Sequence, residues 1–234
     1  MTANPSAKDI HSIFNRIAPV YDRLNDQLSL GSHRLWKKMA VRFAQPIQGE
    51  VWLDLCCGSG DIAGLLASKV APTGKVFGVD FAESQLAIAQ QKFPTHIQQY
   101  IQWQAGDALN LQFPEAFFDG VTIAYGLRNV VDGRQCLQEV YRVLKAGGRA
   151  VILDFHLPYD FLWQKFLELY LSNIVVPTAK QYGMEQEYAY IFPSLLRFPQ
   201  GKDQERIARS CGFGSAIHYA IAGGMMGILV LTKN

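Results

Sequence analysis

Between Val51 and Phe155 short β-prone runs alternate with helix-patterned stretches, and the first such junction constrains the chain most. Val51-Trp-Leu-Asp54-Leu-Cys56 reads as a strand, Cys57-Gly58-Ser59-Gly60 as a tight turn, and Asp61–Val70 as a helix. A strand that passes into a helix across two glycines is the opening half of a βαβ unit, which implies a parallel sheet covered by helices. The alternation continues with strands over Lys75–Asp80, Tyr100–Gln104, Phe118–Ala124 and Arg149–Phe155, and with helices over Glu83–Phe93 and Gly133–Leu144. A last helix over Gln204–Cys211 leads into 23 residues, between Arg209 and Lys233, without a formal charge. Their length and the Gly223-x-x-x-Gly227 spacing nominally suit a membrane span. Five glycines and the alternation of Ile217, Tyr219 and Ile221 ahead of Gly223-Gly224 instead predict two antiparallel strands.

The expectation is one α/β domain over residues 1–234, with a mostly parallel seven-stranded sheet and an antiparallel C-terminal strand. Two segments stand outside the alternation: residues 9–44, helical in pattern, and residues 159–198, rich in aromatics. They read as an N-terminal helical cap and a helical insertion, placed near the carboxyl ends of the strands where open α/β sheets bind ligands. With 49% hydrophobic and 18% charged residues the chain has enough apolar surface for a core. Its net charge of +2 is too balanced for a chain whose main partner is a nucleic acid. Cys56, Cys57, Cys136 and Cys211 form no C-x-x-C pair, so no metal site and reduced thiols in a cytoplasmic setting are expected. Residues Met1–Lys8 are polar and show no apolar core of a secretory signal, so the mature chain is expected to begin at or near Met1.

The turn itself has two readings. Gly58-x-Gly60-x-x-Ala63, with Asp80 twenty residues after Gly60, matches the dinucleotide fingerprint and an NAD-dependent oxidoreductase. Asp54 argues otherwise, because an acid four residues before Gly58 opposes a pyrophosphate and favours a cationic ligand. S-adenosylmethionine is such a ligand: its ribose suits Asp80, its ammonium the Asp54 region, and its adenine amino group the loop Ala105-Gly106-Asp107-Ala108. Each acid also has a purely local use, Asp54 and Asp80 as caps and Asp107 in an Asx turn. Three acids at the ends of three successive strands favour the ligand.

Asp54 to Asp61, Gly78-Val-Asp80 and Gly106-Asp107-Ala108 resemble the motifs of the class I S-adenosylmethionine-dependent methyltransferases, with their Rossmann-like fold. Phe14-Asn-Arg-Ile-Ala18-Pro-Val-Tyr21-Asp22, Leu28-Ser-Leu-Gly31-Ser-His-Arg-Leu-Trp36, Tyr125-Gly126-Leu127-Arg128-Asn129-Val130 and Arg142-Val-Leu-Lys145-Ala-Gly147-Gly148 extend the resemblance to the ubiquinone/menaquinone biosynthesis C-methyltransferases. Within that branch Leu-Asp-Leu-Cys-Cys-Gly-Ser-Gly-Asp is similar to the cyanobacterial and plant demethylphylloquinone enzymes. The resemblance implies a wall for the methyl donor made of Asp54, Gly58, Ser59, Gly60, Asp80, Phe81, Asp107, Ala108 and Ala124. Three positions depart from the family pattern: Cys56 where a glycine is common, Ser59 for threonine, and Ala124 for serine.

The implied reaction methylates a ring carbon of a prenylated naphthoquinol in phylloquinone synthesis, with demethylmenaquinone and ubiquinone-pathway quinols as alternatives. Carbon is a weak nucleophile until the neighbouring hydroxyl ionises, and Arg128 is the candidate to stabilise that oxyanion, an ordinary loop salt bridge being its competing use. A water held by Arg128, or Tyr21, Asp22 or His156, is the candidate proton acceptor. Asn129 and Tyr182 are assigned to substrate, as are Trp163 and Phe166 among the apolar side chains from Phe161 to Val175 that suit an isoprenoid tail. Arg34, Lys37, Lys38 and Arg42, opposite Leu35, Met39 and Phe43, suggest transient docking on an anionic membrane surface. A homodimer is compatible with the sequence, whereas the intact Arg128 and cofactor acids argue against a non-catalytic subunit of a membrane assembly.

Overall fold

A computed structural model describes residues 6–234, so the expectation for the first five residues lies outside the described part. Seven strands, β1 (Val51–Leu55), β2 (Lys75–Asp80), β3 (Ile101–Ala105), β4 (Phe118–Ala124), β5 (Leu144–Phe155), β6 (Ser215–Ile221) and β7 (Met226–Thr232), form one sheet in the order β3-β2-β1-β4-β5-β7-β6. Pairs β1/β2, β2/β3, β1/β4 and β4/β5 are parallel, and β7 is antiparallel to both β5 and β6. The uncharged C-terminal stretch is therefore the expected pair of strands. Strand order reverses between β1 and β4, which opens a crevice at their carboxyl ends.

Inward alternation along the strands builds two cores. Leu53, Leu55, Val121 and Ile123 pack with α7 (Gly133–Val143) and α12 (Gly201–Ser210), whereas Trp52, Val76, Val151 and Leu153 pack with α3 (Ser32–Ala44) and α4 (Asp61–Val70). Gly120 is required here, since a Cβ would lie 2.2 Å from the Trp52 ring. Most boundaries fall within one to three residues of the sequence reading, and two differences are larger. β5 starts at Leu144 rather than Arg149, because Leu144 pairs with Phe118 ahead of a register shift between Phe118 and Gly120. A short helix, α6 (Thr95–Gln98), follows α5 (Glu83–Lys92), where Pro94 ends the longer helix.

The cap comprises α1 (Ala7–Ile17), a 3-10 turn (Ala18–Val20), α2 (Tyr21–Ser29) and α3. Ser6 and Asp9 close a capping box at the start of α1. In the insertion, α8 (Phe161–Tyr170) is capped by Asp160, runs through a π turn at Leu171–Val175, and is followed by α9 (Val176–Lys180), α10 (Glu185–Ala189) and α11 (Ile191–Arg197). A third core joins the segments: Leu24 of α2 is fully buried with Leu167, Leu171, Val175, Tyr188 and Leu195. Leu24→Ala is expected to cost about 3 kcal/mol there. Among the described residues no helix is long and apolar enough to cross a membrane, and no cluster of His, Cys, Asp and Glu could hold a metal.

Candidate active site

Past Leu55 the backbone enters the left-handed region at Cys56 (φ 56°), Gly58 (53°) and Gly60 (84°). Cys56, in the place of a family glycine, thus carries the conformation glycine would adopt without strain. Asp54 is buried, and its two oxygens accept from Ala63 N–H (2.9 Å) and the Thr122 hydroxyl (2.8 Å), which anchors the first turn of α4. Burial raises its pKa to about 7, against those two hydrogen bonds. Asp80 accepts from Gly58 N–H and Ala82 N–H at 2.8 Å each, and Asp107 from Leu109 N–H at 2.9 Å. The local uses of all three acids are therefore real, and they coexist with exposure to cavities.

The first cavity, about 810 Å³, is lined by Gly58, Asp80, Phe81, Asp107, Ala108 and Ala124. Gln85, which the sequence reading overlooked, also lines it: the side chain is buried and neither its Oε1 nor its Nε2 has a partner. An unpartnered buried amide facing a cavity with two acids fits a ligand carrying amino and hydroxyl groups. Asp54 and Ser59 instead border a smaller adjoining cavity with Lys37, Asp61 and Tyr21. Gly60 faces neither; a Cβ there would lie 2.3 Å from the Trp103 ring, so that glycine serves packing.

Four charged groups clamp the cap onto this turn. Lys92 pairs with Asp22 (2.7 Å) and Asp61 (2.5 Å), Lys37 pairs with Asp61 (2.6 Å), and the Ser59 hydroxyl donates to Asp22 (2.8 Å). Burial alone would raise Asp61, but the ammonium groups of Lys37 and Lys92 outweigh it and hold the carboxyl at about 2. This corrects two expectations. Asp22 has both oxygens engaged with Lys92 and Ser59, which makes it a fastener rather than a free base, and Lys37 is buried in an ion pair instead of joining an exposed basic face.

A third cavity, about 1510 Å³ and largely apolar, lies between cap, insertion and strand ends. Phe14, Ile17, Phe166, Leu171 and Val175 line it, together with Arg128, Asn129 and the carboxylate of Glu187, which pairs with Arg16. Tyr21 and Tyr125 line all three cavities. They therefore mark the point where the three spaces meet. Tyr125, not singled out from sequence, has φ 61°, and its buried hydroxyl has no partner. Burial raises that phenol well above its usual range.

Arg128 is largely buried. Its Nη1 contacts Asp154 (2.5 Å) and Tyr125 O (2.8 Å), its guanidinium stacks 5.3 Å from the Phe155 ring centre, and its Nε has no partner. So the salt bridge is present, but on a side chain that also lines the cavity. Asn129 donates to Tyr125 O at 3.0 Å. His156 sits elsewhere: Nδ1 is 3.0 Å from Asp154 O and Nε2 is 3.0 Å from Nε2 of His218, and it lines none of these cavities. His156 is thereby corrected from proton acceptor to structural partner. Burial, and then the neighbouring His156, push His218 down to about 4. Trp163 packs over Gly223, and Tyr182 reaches outward to Gln27 at 3.2 Å; neither lines the apolar cavity, unlike Phe166.

The reversed-order crevice, this glycine turn, the acid ending β2 and the Gly-Asp-Ala loop after β3 together fit an S-adenosylmethionine-dependent methyltransferase. The fold matches that of such an enzyme from Thermotoga maritima, described as a possible histamine N-methyltransferase, with a TM-score of 0.66 at 18% identity over 96% of this chain and 100% of that one. A methyltransferase from Aquifex aeolicus gives 0.59 at 14% identity over 83% and 88%. The chain belongs to the ubiE/COQ5 methyltransferase family, whose model matches residues 1–233. It is 53% identical to the 2-phytyl-1,4-naphtoquinone methyltransferase of Nostoc punctiforme, over 96% of this chain and 98% of that protein. It is 48% identical to the chloroplastic 2-phytyl-1,4-beta-naphthoquinone methyltransferase of Arabidopsis thaliana, over 94% and 86%. Family membership removes the nicotinamide reading of the glycine turn.

Proposed function

We propose that the protein methylates the unsubstituted ring carbon of a 2-phytyl-1,4-naphthoquinol in phylloquinone synthesis. The observation that carries this reading is the meeting of three cavities at Tyr21 and Tyr125, one of them of about 1510 Å³, largely apolar and suited to an isoprenoid tail. The names of the relatives in Nostoc and Arabidopsis support the same substrate.

Asp80, Phe81, Gln85, Asp107, Ala108 and Ala124 hold the adenosine portion of S-adenosylmethionine in the first cavity, and Lys37, Ser59 and Asp61 border the space for its amino-acid end. When bound, that group supplies an electrophilic methyl on a sulfonium. Arg128 lies beside the quinol hydroxyl. A phenol-like hydroxyl titrates near pH 10, and a neighbouring guanidinium lowers that by about one to three units. Because Asp154 neutralises part of the charge, the effect falls toward the lower end. Asp154 and the Tyr125 carbonyl fix the guanidinium, leaving Nε free to donate to the oxyanion. Tyr21, at the junction, passes the hydroxyl proton on to solvent water at the edge of the site; once the ring carbon has taken the methyl from the sulfonium, that carbon loses its hydrogen as a proton, which returns to the oxygen and restores the aromatic quinol, while the apolar walls exclude bulk water from the reacting atoms. The enzyme works at the edge of the membrane that dissolves its substrate.

The test is methylation by the purified chain of chemically reduced 2-phytyl-1,4-naphthoquinol in detergent, followed by mass spectrometry. One added methyl on the ring is expected. Methylation of a demethylated benzoquinol in its place would overturn the substrate assignment.

A further inference from the structure

The apolar side chains of α8 divide into two sets. Leu167 and Leu171 point into the third core, whereas Leu162, Phe166 and Leu169, spaced i, i+4 and i+7, form a stripe that is 75%, 51% and 49% exposed. Phe161 (73%) and Ile174 (50%) extend it at either end. Within α8 the exposed Lys165 and Glu168 pair with each other, and the Asp160 carboxylate at the Phe161 end is held as the N-cap by Leu162 N–H and Trp163 N–H. A contiguous apolar strip of this kind marks an interaction surface.

Where the strip lies decides what covers it. Phe166 is half exposed and also lines the apolar cavity, so the strip runs into the cavity mouth. The opposite lip is Leu30, 92% exposed and also lining the cavity, in the turn between α2 and α3; Tyr170 of α8 holds that turn by donating to Leu28 O. Leu30 adopts φ 48°, a conformation that glycine or asparagine fills with less strain. Turn geometry therefore does not account for a leucine there; an apolar contact does. Two residues later α3 begins, and its first two turns expose Arg34, Leu35 and Lys38; Arg34 is paired with Asp26 of α2, so Lys38 is the cation there without an ion pair among the described residues. Apolar lips at the mouth of an apolar cavity, with the Lys38 ammonium beside them, suit an anionic lipid surface better than the flat face of a second protein.

We infer that the exposed stripe of α8 and Leu30 together dock on an anionic lipid bilayer and seat the cavity mouth on it. A lipid-borne quinol then passes tail-last from bilayer to cavity without crossing water. This surface replaces the α3 face expected from sequence, where only the flanking cations remain. Its purpose rests on the prenylated-quinol reading, but its geometry does not.

The experiment uses the full chain and vesicles of phosphatidylcholine with and without phosphatidylglycerol, read by flotation and by tryptophan emission. Trp163, 46% exposed beside the stripe, should shift to the blue on binding, and Trp163→Phe should abolish the shift. The key variant is Phe161→Asp with Leu162→Asp. These side chains line no cavity described above, and acids in the first turn of a helix favour it, so folding is retained. Partition onto anionic vesicles is expected to drop by about tenfold or more. Turnover of a short-tailed, water-dispersed naphthoquinol should be unchanged. Equal flotation of both proteins, or none by either, overturns the inference. So does a stable dimer by light scattering that the double substitution dissociates, which would assign the stripe to a second copy. Flotation that depends on the stripe, combined with no naphthoquinol methylation, leaves the docking surface standing and refutes the substrate reading alone.

Discussion

Replacing Arg128 by alanine separates its structural from its chemical use. The guanidinium and Asp154 are 9% and 1% exposed, so the substitution strands a buried carboxylate. Breaking such a pair typically costs about 3–5 kcal/mol. Asp154 keeps two backbone donors, Arg128 N–H at 3.1 Å and Phe155 N–H at 2.9 Å, which places the loss near the lower figure, about 3 kcal/mol. At about 2–4 °C per kcal/mol for a chain of this size, Tm should fall by roughly 6–12 °C. The chemical loss is separate: removing one stabiliser of a developing anion should lower single-turnover methyl transfer about a hundredfold or more. Arg128→Lys keeps a charge against Asp154 and should recover most of the stability but only part of the rate, lacking the planar fork. Donor affinity by calorimetry should be unchanged in both, because Arg128 does not line the first cavity. Scanning calorimetry and single-turnover assays on the same preparations, well below the lowered Tm, test the reasoning. A folded Arg128→Ala protein with near-normal chemistry would refute it and move the burden to Tyr21 or Tyr125.

Three further outcomes follow from the same geometry. Asp80→Ala should weaken S-adenosylmethionine binding far more than Asp80→Glu, since it removes the acceptor and also releases Gly58 N–H; calorimetric titration of both variants checks this. Methylation should require the reduced quinol, the only form with an ionisable hydroxyl, so equal rates under oxidising and reducing conditions would contradict the oxyanion mechanism. Burial of His218 beside His156 should contribute acid sensitivity to the fold. His218 is neutral in the fold down to about pH 4, whereas an unfolded histidine takes its proton near 6.5, so its own contribution is lost as pH drops from about 6.5 to 4, against an opposite contribution from Asp54, whose carboxyl is raised to about 7 in the fold. Urea unfolding of the protein and of His218→Gln across that range isolates it as the difference between the two; identical pH dependences would contradict the assignment.

Periodicity and the glycine turn determined the parallel sheet, its helices and the terminal strand pair, because period-two and period-3.6 burial are local properties of the chain. The motif acids were legible for the same reason: Asp54, Asp80 and Asp107 each end a strand, and a strand end places its side chain in the crevice. What surrounds them depended on contacts between distant segments. Lys92 and Lys37 converge on Asp61 from α5 and α3, which converts Asp22 from a candidate base into a fastener. His156 follows β5 directly but is turned away by His218, 62 residues on. Gln85 carries no signal in composition or spacing, and Tyr125 stood in a quoted motif without a role; the meeting of three cavities and two unpartnered buried groups reveal them. For α8, the sequence marked apolar side chains from Phe161 to Val175 without saying which of them would be covered. Burial is decided by what packs against a helix: α2 supplied a partner for Leu167 and Leu171, while Leu162 and Leu169 were left exposed.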